Sequence, residues 1–103
     1  MQVERPALSD LYSRLMLVNM HYVYILKSVK FGSIFIGYSK NLTQRIKEHN
    51  AHTSKYTGER GTWELVYYEA YKSKDDAVKR EHMLKQYGAT KGHLKKRITN
   101  SLL

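Results

Sequence analysis

The first strong pattern along the chain is His21-Tyr22-Val23-Tyr24-Ile25-Leu26, a run of aromatic and β-branched residues. Such a run predicts a buried strand, with Tyr22 and Tyr24 on one face and Val23 and Ile25 on the other. Phe31-Gly32-Ser33 supplies a turn, and Ile34-Phe35-Ile36-Gly37-Tyr38 reads as a second strand. So short a connection predicts an antiparallel hairpin. Gly37 inside a strand pattern marks either a bulge or a close approach to the backbone.

From Asn41 the period becomes helical. Asn41 is placed to cap a helix that carries Leu42 and Ile46 on one face and runs to about Asn50. The polar, glycine-containing stretch 51–61 predicts a loop. Trp63-Glu64-Leu65-Val66-Tyr67-Tyr68 predicts a third strand continuing to Tyr71. Ser73, followed by Asp75 and Asp76, opens a helix expected to reach Tyr87, with Gly88 just past its end. A last, basic helix is expected over roughly Lys91 to Ile98. Residues 1–19 stand apart as an N-terminal extension. Leu8, Leu11, Tyr12 and Leu15 at helical spacing predict an extra helix there, and Met20 immediately precedes the first strand. The order ββαβαα over 20–103 is that of an α+β domain with a small sheet.

Composition narrows the partners. The 103 residues suit one domain, and 42% hydrophobic with 12% aromatic content excludes wholesale disorder. With no cysteine, disulfide scaffolds, Cys-ligated zinc, iron–sulfur clusters and thiol catalysis are excluded, which fits a cytoplasmic location. No apolar run approaches the ~20 residues needed to span a bilayer, so no membrane role is expected. Eighteen Lys and Arg against nine Asp and Glu give a net charge of +9. A field of that sign and strength favours a polyanionic partner, nucleic acid first and a membrane surface second, with solubility alone as the bland alternative.

Several residues could carry chemistry. Arg45 and His49 fall at i and i+4 beside Leu42, so the predicted helix stacks them on one face. A guanidinium there could fork onto a phosphate and the imidazole could relay a proton, although a solvated helix face would look the same. Glu81 interrupts the Ala77 and Leu84 stripe of the second helix. A carboxylate at such a position needs a partner, either a hard divalent cation or a neighbouring Lys or Arg. Lys85, Lys91, Lys95, Lys96 and Arg97 could track a phosphate backbone or simply solubilise the surface. The loop Tyr56-Thr57-Gly58-Glu59-Arg60-Gly61 lacks the Walker Lys-Ser/Thr ending and is no phosphate loop.

Taken together, Tyr22-Val23-Tyr24, Phe35-Ile36-Gly37, Asn41-Leu42, Arg45 and His49-Asn50 resemble the GIY-YIG nuclease domain. Lys55-Tyr56-Thr57, Trp63-Glu64-Leu65-Val66 and Ala77-x-x-Arg80-Glu81 continue the likeness, which covers about residue 21 to residue 87. It looks closest to small stand-alone, single-domain members of the URI type. The resemblance implies a three-stranded antiparallel sheet flanked by helices. It further implies Mg2+- or Mn2+-dependent endonuclease cleavage of DNA phosphodiesters, on single-stranded, branched or damaged substrates and in the setting of DNA repair. By the same resemblance Tyr24 would hold or help deprotonate the attacking water, Arg45 would stabilise phosphoryl charge, His49 would assist proton transfer and Glu81 would bind the metal. Lys40, Lys55, Tyr56, Arg60 and Lys85 are the residues expected to meet the nucleic acid. Phe35 stands where the family's second motif carries a tyrosine, and Tyr38 faces the other way in a regular strand. The alternative is therefore a nucleic-acid-binding module with weakened catalysis.

Overall fold

The structure is a computed structural model that describes residues 19–51 and 61–103. The helix expected near residues 8–15 and the loop positions Lys55, Tyr56 and Arg60 lie outside the described residues. Within them the order is β1 (His21–Ser28), β2 (Ile34–Ser39), α1 (Leu42–Asn50), β3 (Trp63–Tyr71), α2 (Lys74–Gln86), α3 (Gly88–Arg97) and a terminal 3₁₀ turn (Asn100–Leu102). The three strands form one antiparallel sheet in the order β2-β1-β3. The fold is α+β, as expected.

Alternation along β1 divides the interior into two layers. Val23 and Ile25 face one side of the sheet, where they pack with Ile36, Ala77, Leu84, Leu94 and Ile98 under α2 and α3. Tyr24 and Leu26 face the other, with Trp63, Phe35, Leu42, Ile46 and Leu65 under α1. A central strand with an apolar residue at nearly every position is what a sheet covered on both faces requires.

The third strand does not alternate simply. Ile25 pairs with Tyr67, but Leu26 pairs with Leu65, so one extra residue bulges out of β3. Odd-numbered residues would otherwise share a single face. The bulge instead sends Trp63 and Leu65 to the α1 side while Tyr67 packs on the α2 side. Gly37 is thus not the bulge. It serves the other purpose open to a strand glycine, a close approach.

Two helix boundaries also differ from expectation. Gly88 does not end α2; it opens α3, three residues before Lys91. Tyr87, at φ −115° and ψ 109°, is the one extended residue between the two helices, so a single non-helical residue makes the corner. Asn41 caps α1 as expected, its Oδ1 accepting from Gln44 N–H at 3.1 Å. Ser73 stands at the start of α2 but makes no side-chain cap bond.

Candidate active site

The site grows from β1 and α1. Tyr24 is fully buried, at 0% exposure, and His49 is at 1%. The Tyr24 hydroxyl lies 2.9 Å from His49 Nε2. The Arg45 guanidinium, one helical turn before His49, is within hydrogen-bonding reach of the same hydroxyl. A guanidinium only donates, so the phenol oxygen accepts from Arg45 and can donate its single proton to His49 Nε2. His49 Nε2 accepts it in the tautomer that carries the ring proton on Nδ1. Burial, reinforced by the Arg45 charge, holds the His49 pKa below its ordinary value, with Glu48 opposing, and so keeps the ring neutral. Burial raises the Tyr24 phenol above its ordinary value; Arg45 pulls it down, and Glu81 and Glu48 push it further up.

β2 closes the other side of the phenol. Tyr24 pairs directly with Gly37. A Cβ at position 37 would stand 2.5 Å from Tyr24 Cζ and 2.9 Å from Phe35 Cε1, so only glycine fits. Phe35 turns its ring edge-on to His49, with centroids 4.7 Å apart. Lys85 Nζ sits over the Phe35 ring at 5.8 Å and lies 3.4 Å from Glu81 Oε1. The Glu81 side chain is 23% exposed and near enough to act electrostatically on Tyr24. Glu81 is therefore not a core carboxylate. It stands at the rim of the Ala77 and Leu84 stripe, paired with the lysine one turn on.

A model of the GIY-YIG catalytic domain matches residues 20–93. The chain belongs to the GIY-YIG family. A UPF0213 protein of Staphylococcus aureus is 41% identical over 71 residues, covering 68% of this chain and 85% of that protein. A UPF0213 protein of Staphylococcus saprophyticus is 40% identical over 75 residues, with 72% and 90% covered. The solution NMR structure of a UPF0213 protein from Bacillus halodurans is 38% identical and covers 73% of this chain and 80% of its own, with a TM-score of 0.46.

In this GIY-YIG chain the four residues expected from its motifs do share one neighbourhood: Tyr24, Arg45 and His49 in direct contact, Glu81 across from them. They differ in access. Arg45 and Glu81 reach solvent, whereas Tyr24 and His49 lie beneath them. Lys40 is exposed beside Arg45, on a groove lined with Ser39, Asn41 and Gln44. Among the described residues no three His, Cys, Asp or Glu side chains gather into a metal cage. A single rim carboxylate fits a cation that keeps most of its waters and shares the remaining positions with substrate phosphate, which is how Mg2+ commonly binds.

Three relationships escaped the sequence reading. Glu48 holds Arg45 at 3.0 Å, a pair readable from the i,i+3 spacing. Asn50 bridges α1 to β3, its Nδ2 donating to Trp63 O at 3.1 Å and its Oδ1 accepting from Trp63 N–H at 2.8 Å. Arg80 grips Glu69 on the far face of the sheet; these two are eleven residues apart with no periodic signal to join them.

Proposed function

We propose that this GIY-YIG protein is a divalent-metal-dependent endonuclease that hydrolyses phosphodiester bonds in DNA, acting on single-stranded, branched or damaged DNA. The observation that carries this reading is the Tyr24 hydroxyl, held between a donor-only guanidinium and a neutral imidazole with the Glu81 carboxylate nearby. That arrangement lets the phenol oxygen take a proton as its own passes to the imidazole.

Arg45 can leave Glu48 for a phosphate, to which its planar fork offers two parallel donors. Its departure also uncovers the Tyr24 oxygen. A water attacking phosphorus then gives its proton to the Tyr24 oxygen as the Tyr24 proton passes to His49 Nε2. The bond from phosphorus to the leaving oxygen breaks, that oxygen keeps the electron pair and takes a proton from solvent, and His49 returns its proton to solvent through the Tyr24 oxygen. Glu81 would hold Mg2+ or Mn2+, which when bound supplies Lewis acidity at the phosphoryl oxygen. The net charge of +9, with Lys40 and Lys85 flanking the site, supports a polyanionic substrate.

A second reading has its own observation. Phe35 offers no hydroxyl at the second-motif position, so a nucleic-acid-binding module with weakened catalysis is the alternative. Titrating Mg2+ or Mn2+ into assays on single- and double-stranded DNA separates the two. Metal-dependent cleavage that Glu81→Ala and Arg45→Ala remove supports the enzyme. Salt-sensitive binding without turnover supports the module. Cleavage unchanged in both variants rules out the site.

A further inference from the structure

On the face of the sheet opposite Tyr24, Arg80 donates from Nε to Glu69 Oε1 at 2.9 Å and from Nη2 to Oε2 at 3.0 Å. The Tyr67 hydroxyl donates to Oε2 at 2.5 Å, and the Tyr71 hydroxyl donates to Oε1. Each carboxylate oxygen thus accepts two bonds, which uses all four acceptor positions. The cluster is half-sheltered, with the Arg80 side chain 26% exposed and that of Glu69 15%. The β3 bulge makes it possible, because it turns Tyr67 toward α2 while Leu65 packs under α1.

The placement of Arg80 on its helix gives this network a consequence. Ala77 and Leu84 are both at 0% exposure and form the line on which α2 rests against the sheet. At 3.6 residues per turn, Arg80 and Glu81 lie roughly 50° to either side of that line. Arg80 reaches toward β3, and Glu81 lies on the side of the phenol. A line of two apolar contacts resists rolling only weakly; the two-armed ionic grip fixes one side of it, while on the other the half-exposed Lys85 only rests over Phe35 at 5.8 Å.

We infer that Glu69 is a positioning residue: through its fork to Arg80 it sets the roll of α2 and so the place of the Glu81 carboxylate. Removing the grip lets α2 roll, and Glu81 then moves relative to Tyr24 and Arg45 while the core stays packed. The inference rests on the proposed role of Glu81 and makes Glu69 part of that site without any contact with substrate.

The test uses the full chain with Mn2+ as the probe. Mn2+-induced broadening of amide resonances near Glu81 is titrated by NMR without DNA, and kcat and KM are measured separately. Glu69→Gln and Arg80→Lys are each expected to weaken Mn2+ binding and lower kcat by about 10-fold, as loss of a supporting partner behind a metal ligand typically does, with KM changed less than about twofold. The double variant is expected to be no worse than the poorer single one, since both act through one contact. Leu94→Val, which loosens the same core layer while leaving the Arg80–Glu69 grip intact, controls for stability and is expected to leave Mn2+ binding unchanged. If Glu81→Gln abolishes broadening and cleavage while Glu69→Gln and Arg80→Lys match the parent, the inference is overturned and the enzymatic reading stands. If Glu81→Gln changes neither, both fall together.

Discussion

The ring of Tyr24 lies across the backbone of Gly37, its register partner on β2, so closely that no side chain fits between them. The phenol needs that space to reach His49 and Arg45 from a central strand. A glycine on an edge strand is therefore part of the site, although it brings no functional group.

Gly37→Ala would drive a methyl group into the Tyr24 ring and the Phe35 edge. Overpacking of this kind costs about 1–3 kcal/mol, and here the strain falls on the phenol that must stay aligned. The variant is expected to unfold at lower denaturant concentration and to lose activity beyond what its stability explains. Denaturant titration alongside kcat of the folded variant checks both.

Tyr24→Phe keeps the ring packing and removes the hydroxyl between Arg45 and His49. The buried His49 Nε2 then loses its Tyr24 hydrogen bond, at a cost of about 1 kcal/mol. Losing a positioned proton-transfer group lowers turnover by roughly 10²–10⁴. Steady-state kinetics should show the loss in kcat, with DNA affinity retained because Arg45 and the lysines remain.

Stability is expected to fall as pH drops through two windows. His49 is held below its ordinary 6.5 in the folded chain, so the unfolded chain binds more protons and stability declines as pH falls from about 6.5. Burial pushes the Glu69 carboxyl up, but bonds from Arg80, Tyr67 and Tyr71 outweigh it and hold the group below its ordinary 4.5. Its contribution is present above that value and lost as pH falls through the lowered one. At the alkaline end Tyr67 and Tyr71 are pushed up to about 12, chiefly by burial and then by Glu69, so stability declines again as pH rises from 10 toward 12. Thermal melts across pH should show a plateau between 6.5 and 10, and His49→Phe should remove the upper acid shoulder.

Binding should weaken steeply with salt. Lys40 lies exposed beside Arg45 and meets phosphate rather than bases in the proposed complex. Replacing one phosphate-contacting lysine removes about 0.7–0.9 from the slope of log K against log salt. Lys40→Gln is expected to produce that change equally for unrelated DNA sequences; an unchanged slope would place the nucleic acid elsewhere.

Much of this was legible in the chain itself. Asn41 caps α1 because a short acceptor at that position can reach Gln44 N–H, whatever the rest of the fold does. The Tyr24, Arg45, His49 and Glu81 set was named only through the likeness to the GIY-YIG motifs; periodicity by itself put Arg45 and His49 on one helix face and left a solvated face or a simple salt bridge equally open. Access was not legible. Arg45 and His49 stack on one face by period, yet one reaches solvent and the other is buried, because Tyr24 and Phe35 pack over the His49 ring.

The order of strands and helices, and a glycine in β2 that had to be either a bulge or a close approach, followed from the amino-acid sequence, because strand and helix periods are set by neighbours a few residues apart; that the approach is to Tyr24, and that β1 is covered on both faces, came with the packing. The bulge in β3, the corner at Tyr87 and the Glu69–Arg80 grip came only with the tertiary structure. A bulge trades local pairing against where its flanking side chains pack, and an ion pair between a strand and a helix exists only once both are docked. Periodicity reports which way a side chain leaves its own element; what waits for it there is a property of the packed whole.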